Sequence, residues 1–128
     1  MPKRLQVLVA MSDSDGRSAL ASTLAARGLD AVIASTLRET RTILNHEQVA
    51  VVFCQNKLED GAFNDLLGED LKGKIPVVVC SPSYEPGVYM DAMSKGAFDF
   101  IAYPYAQREI EWILSCALPH VAVAAGAA

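Results

Sequence analysis

The sequence has no apolar run approaching the ~18 residues of a membrane span, no CxxC pair and no block of basic residues. No membrane span is therefore expected. The opening MPKRLQVLVAMSDSDGR turns acidic after a short apolar stretch instead of reaching a small-residue cleavage site, so the expected location is the cytoplasm. The three cysteines, Cys54, Cys80 and Cys116, have neither disulfide-framework nor zinc-ligand spacing, and two of them end apolar runs, as buried thiols of a reducing compartment do. His46 and His120 lie in unrelated surroundings and read as surface or helix-end residues. The 11 Lys and Arg are scattered among 15 Asp and Glu, for a formal charge of −4, which excludes the clustered phosphate footprint of a nucleic-acid binder. No Ser/His/Asp set, paired carboxylates or glycine-rich phosphate loop stands at a strand end, so catalysis is not expected.

What is present suits one ordinary domain: 128 residues, 52% of them apolar and 20% charged. Five short apolar runs recur: Leu5 to Ala10, Asp30 to Ala34, Val49 to Cys54, Ile75 to Cys80 and Phe98 to Ala102. Most are rich in Val and Ile without strict alternation, the pattern of strands buried on both faces of a parallel sheet. Helix-period segments separate them. Ser14 to Arg27 carries Ala19, Leu20, Thr23 and Leu24 on one stripe, with Gly28 as its stop. Thr36 to Glu39 reads as a capping box opening a helix to about His46, with Leu37, Thr40, Ile43 and Leu44 inward. A third helix is expected from Asp60 or Gly61 with Phe63, Leu66 and Leu67 inward, and a fourth from Pro86 to Gly96. A fifth starts at Ala106 or Gln107 on the stripe Ile110, Ile113, Leu114, Ala117. The expected fold is α/β, a five-stranded parallel sheet flanked by five helices. The domain is expected to cover 1–120, with 121–128 (VAVAAGAA) as a flexible tail. In such folds sites form outside the carboxyl ends of the strands, which directs attention to Met11 to Asp15, Gln55 to Glu59, Ser81 to Ser83 and Tyr103 to Tyr105.

From about Leu5 to Leu118 the chain resembles a response-regulator receiver domain, the chemotaxis-type, flavodoxin-like (βα)5 module of two-component signalling. Arg17, Leu20, Leu24 and Gly28 follow the first strand as they do in receivers; VVFCQNKLEDGAFNDLL is similar to the third strand and its loop; IPVVVCSP is similar to P-V-I-V-L-[ST]-A; and GAFDFIAYPY is similar to G-A-x-D-Y-[LI]-x-K-P-[FY]. A receiver, the resemblance implies, holds Mg²⁺ with two acids after the first strand, accepts a phosphoryl group on an Asp after the third, and has a Ser or Thr after the fourth and a Lys after the fifth. The metal wants oxygen ligands that include carboxylates, the acceptor must be an anionic oxygen nucleophile, and the Lys offsets incoming charge.

The chain departs from that pattern at nearly every chemical position. The acid pair falls on Met11 and Ser12, with Asp13 next as a loop or helix N-terminal acid. The acceptor position falls on Gln55, or on Phe53 in the shifted register, and residues 53 to 57 contain no acid. An amide cannot form an acyl phosphate, because its nitrogen lone pair is delocalised and its oxygen carries no full charge. The lysine position falls on Tyr103, a phenol, in a Tyr103-Pro104 pair whose bond is expected to be cis. Ser81 keeps the hydroxyl position and Phe100 the aromatic that the resemblance places in the switch; each alone also fits a plainer role, loop satisfaction and core packing. No cofactor is expected, and Mg²⁺ binding is expected to be lost.

The leading expectation is thus an atypical pseudo-receiver acting by protein–protein contact. The alternatives are a phosphorelay receiver with an unorthodox acceptor, Asp13 or Asp60, and a small-ligand module lined by Met11, Gln55, Ser81 and Tyr103. The expected partner is a signalling protein, or a second copy, on the face of the fourth helix, fifth strand and fifth helix. Trp112 and Cys116, an i,i+4 pair opposite the apolar stripe, are the interface candidates together with Tyr105; Tyr84 and Tyr89 extend the patch. Cys54 and Cys80 are expected to be core neighbours.

Overall fold

The computed structural model describes residues 6–67 and 75–118. Its elements run β1 (Gln6–Ala10), α1 (Ser14–Ala26), β2 (Asp30–Ala34), α2 (Leu37–His46), β3 (Val49–Gln55), β4 (Lys57–Leu58), β5 (Gly61–Ala62), α3 (Phe63–Leu66), β6 (Val77–Ser81), α4 (Pro86–Ser94), β7 (Asp99–Ala102) and α5 (Gln107–Ala117). Five strands form one parallel sheet in the order β2-β1-β3-β6-β7, so strand order reverses between β1 and β3. The α/β fold with a five-stranded parallel sheet and five helices is the expected one.

Alternation along the strands divides the interior into two cores. Val7, Val9, Val51, Phe53, Val78, Cys80 and Ile101 face one way, against Leu20 and Leu24 of α1 and Ile110, Ile113 and Leu114 of α5. Leu8, Val52, Cys54, Val77, Val79 and Phe100 face the other way, against Leu37 of α2, Phe63 and Leu66 of α3 and Ala92 of α4. Each fully buried Leu, Ile or Phe contributes about 1.5–3 kcal/mol. That packing, not helix propensity, holds the single turn of α3, since a helix so short is unstable alone.

The helix starts follow local chemistry. Asp13 caps α1, its Oδ2 accepting from Gly16 N at 2.8 Å. Thr36 Oγ1 caps α2 by accepting from Glu39 N at 3.1 Å. The reciprocal half of that box reaches one residue further out, with Ser35 N donating to Glu39 Oε1 at 2.7 Å. Pro86 opens α4, and Gly28 after α1 takes φ 74°, where a side chain would be strained.

Several boundaries differ from the sequence expectation. β3 extends one residue to Gln55, because Gln55 still pairs with Cys80. β6 begins at Val77 and runs on to Ser81, and β7 starts at Asp99. α3 starts at Phe63 and not at Asp60 or Gly61, because β4 and β5 first close a small antiparallel hairpin. Gly61 is forced there: a Cβ would lie 2.5 Å from Leu37 Cδ1 and 2.6 Å from Asp65 Oδ2. Cys54 and Cys80 are not neighbours on one face. Cys54 pairs with Val79 and joins the α2/α3/α4 core, whereas Cys80 joins the α1/α5 core, so their side chains point to opposite sides of the sheet. Leu5, His120 and the 121–128 segment lie outside the described residues. Among the described residues no helix is long and apolar enough to cross a membrane.

Candidate functional site

The carboxyl ends of β1, β3, β6 and β7 bring Met11 to Asp13, Gln55, Ser81 and Tyr103 to one edge of the sheet. Met11 donates its N–H to Ala34 O at 2.9 Å and buries its side chain in the α1/α5 core. It offers no ligand to the surface.

Gln55 is the centre of the corner. Its Oε1 accepts from Ser12 N at 3.0 Å and from Asp13 N at 3.2 Å, with Ser12 Oγ at 3.5 Å. Its Nε2 donates to Lys57 O at 2.9 Å. One side chain thereby ties the loop ahead of α1 to the hairpin after β3, with both ends of the amide in use.

The nearby carboxylates are occupied too. Asp13 caps α1. Asp60 reaches across to α2, where Leu37 N donates to Oδ1 at 2.7 Å and Arg38 N to Oδ2 at 3.0 Å. Those bonds, the one from Leu37 foremost, hold the Asp60 carboxyl below its usual range. Asp65 Oδ2 accepts from Ala62 N at 3.0 Å. Among the described residues no three His, Cys, Asp or Glu side chains gather as a metal site would require.

Tyr105 is placed differently from the expectation that set it on the outer face. It is half-buried, its Oη 4.0 Å from Met11 Sδ, and a Cβ on Gly16 would come within 3.1 Å of that hydroxyl. Burial pushes the phenol well above its ordinary value, with smaller contributions from neighbouring groups, so it stays neutral. Tyr103 is 39% exposed and sits edge-on to Tyr105, ring centroids 5.4 Å apart. The bond before Pro104 is cis, as expected.

Ser81 and Phe100, the remaining switch positions, each have a local role. Ser81 is fully buried and donates its hydroxyl to Ser83 O at 2.7 Å, which turns it into its own loop. Phe100 is buried in the α2/α3/α4 core and packs edge-on against Tyr89 at 5.6 Å and Tyr84 at 6.2 Å. Burial favours the protonated form of two thiols, pushing Cys54 up to about 12 and Cys80 well above its usual value.

The other expected feature lies at the β7 edge. Of the eight large apolar side chains left exposed among the described residues, seven fall between Tyr84 and Trp112, on the loop before α4, on α4 and α5 and on the flanks of β7; the eighth is Ile33. Trp112 is 69% exposed and Met90 67%, so both are largely unpacked among the described residues. Cys116, one turn beyond Trp112, is exposed as well.

No protein-family model matches the sequence, and no curated protein matches it. Solved structures do. The receiver domain of NtrX from Brucella abortus is 26% identical over 90% of this chain and 99% of its own, with a TM-score of 0.79. A two-component response regulator from Clostridium difficile superposes with a TM-score of 0.82 at 18% identity, covering 92% of this chain and 98% of that one. This chain has the receiver fold. The beryllofluoride-activated NtrC4 receiver domain dimer, 21% identical with a TM-score of 0.80, covers 89% of this chain and 96% of its own. The receiver fold thus frames the corner just described, and Gln55 stands at the end of its third strand.

Two of these features were not visible in the sequence. Nothing in it connects Asp60 to the start of α2, 23 residues earlier. Tyr105 as the filler between Met11 and Gly16 is equally a product of the tertiary fold, since an aromatic at that position matches the ordinary receiver pattern and gives no sign of where it turns.

Proposed function

We propose that this chain is a receiver-type module of two-component signalling that works by protein contact, without phosphoryl transfer at the end of β3. The carrying observation is Gln55: its amide oxygen accepts from the Ser12 and Asp13 N–H groups and its amide nitrogen donates to Lys57 O. A phosphoryl acceptor must be a free anionic oxygen in line with metal and cation. Gln55 has no such oxygen; of the unorthodox candidates, Asp13 caps α1 through Oδ2 and Asp60 engages the start of α2 with both carboxylate oxygens. Divalent metal does not suit this donor set, since Met11 is buried, the neutral Gln55 oxygen already accepts two backbone N–H groups, and Tyr103 is a phenol in place of a carboxylate. The exposed Trp112 and its neighbours on the β7 edge are where contact is made, because Trp is enriched at interface hot spots.

Incubation with acetyl phosphate and Mg²⁺, followed by intact-mass measurement, is expected to leave the mass unchanged; a stable, Mg²⁺-dependent gain of one phosphoryl group contradicts the proposal. A pull-down with Trp112→Ala is expected to lose partners that the wild type captures, and unchanged partners remove that face from the account.

A further inference from the structure

On the outward side of α5, Glu109, Trp112 and Cys116 follow one another at spacings of three and four, opposite the buried Ile110, Ile113 and Leu114, and so share one exposed face. An open groove of about 500 Å³ lies along it, lined by Ala106, Arg108, Glu109 and Trp112. Two properties of this groove bear on what it can hold. Trp112 is more than two-thirds exposed, leaving surface uncovered by the described residues. The Glu109 carboxylate has no ion pair among the described residues, although Arg108 lines the same groove. Partial burial and the nearby Asp99 both push its carboxyl up, the opposite of what a neighbouring cation does. An aromatic face beside an uncompensated carboxylate is complementary to a cation, and to a planar one above all. A guanidinium can stack on the ring while its N–H fork engages the carboxylate, whereas an ammonium does only one well.

We propose that this groove docks a protein segment presenting a single arginine, its guanidinium stacked on Trp112 and paired with Glu109. Arg108, which also lines the groove, repels a polybasic run and so restricts the groove to an isolated arginine. The inference rests on the contact reading of this face and supplies the chemistry of the contact.

Trp112 is the only tryptophan in the sequence, so intrinsic fluorescence reports the site directly. The probe is a blocked heptapeptide of glycine and alanine with one central arginine, titrated against the intact chain at millimolar concentration. Saturable quenching is expected. Replacing the arginine by citrulline, which keeps the shape and removes the charge, is expected to weaken association about fivefold or more, and Glu109→Gln by a similar factor. Arg108→Ala is expected to strengthen it, which also separates a binding effect from loss of fold. Equal association of the arginine and citrulline peptides, or no change in Glu109→Gln, overturns the proposal. So does a fluorescence change that depends on protein concentration alone, which assigns the groove to a second copy. The contact reading fails by a different result, unchanged partners of Trp112→Ala.

Discussion

The corner at the ends of β1 and β3 and the face along the β7 edge are opposites in how their groups are used. At the corner four of the polar groups at the sheet end are already bonded: Gln55 to the β1 loop and the hairpin, Asp13 to α1, Asp60 to α2, Ser81 to its own loop. On the face, Trp112 and Met90 stand largely bare and Glu109 has no ion pair among the described residues. Satisfied groups contribute to the stability of the chain that owns them, and unsatisfied ones are free for a partner. On the proposed contact reading, the difference assigns structure to the corner and recognition to the edge, the reverse of what strand-end topology alone suggests.

Substitutions at the two regions should therefore register in different assays. The largest stability loss is expected at the rim of the corner, where Gly61→Ala drives a Cβ against Leu37 and Asp65 and costs about 1–3 kcal/mol in urea unfolding. Gln55→Ala comes next. It leaves the Ser12 and Asp13 N–H groups without their acceptor and is expected to cost about 1 kcal/mol, with faster hydrogen exchange at those two amides and no change in partner binding.

Asp60→Asn has a smaller effect with a distinctive pH signature. The folded-state carboxyl titrates below its usual value of 3.8, so its stabilisation is present above that value and is lost as pH falls through the lower folded one. The gap in unfolding midpoint between wild type and Asp60→Asn is expected to be widest at neutral pH and to close in acid; a gap that widens in acid contradicts the role given to Asp60. Trp112→Ala is the mildest for the fold, within about 0.5 kcal/mol of wild type because the ring is so exposed. A large loss of stability there would mean that Trp112 shields this chain's own core, and the contrast between corner and face would collapse.

Most of the fold was legible from period and punctuation. Val and Ile runs separated by capped, amphipathic segments specify the parallel sheet, and Thr36, Pro86 and Gly28 mark helix ends by chemistry that acts within a few residues. The hairpin after β3 was not legible, because its strands are two residues each and Leu58-Glu59-Asp60-Gly61 carries the same signals as a helix start. Cys54 and Cys80 were misplaced relative to each other since sequence does not give the stagger between β3 and β6, and a one-residue offset reverses the face. At the site, the identities at positions 11, 12, 55 and 103 were readable directly. What Gln55 and Asp60 bond to, and where Tyr105 turns, depend on loops meeting across the sheet end, which no local pattern encodes.

The central contrast is tested most directly by following both regions at once in ¹⁵N-labelled protein, with the Ser12 and Asp13 amides reporting the corner and the Trp112 indole N–H the face. On adding Mg²⁺ with acetyl phosphate, none of the three signals is expected to move. A saturable shift of the Ser12 and Asp13 amides accompanied by a change at Trp112 would contradict the account, because it would mean that the corner binds a phosphoryl group and drives the face.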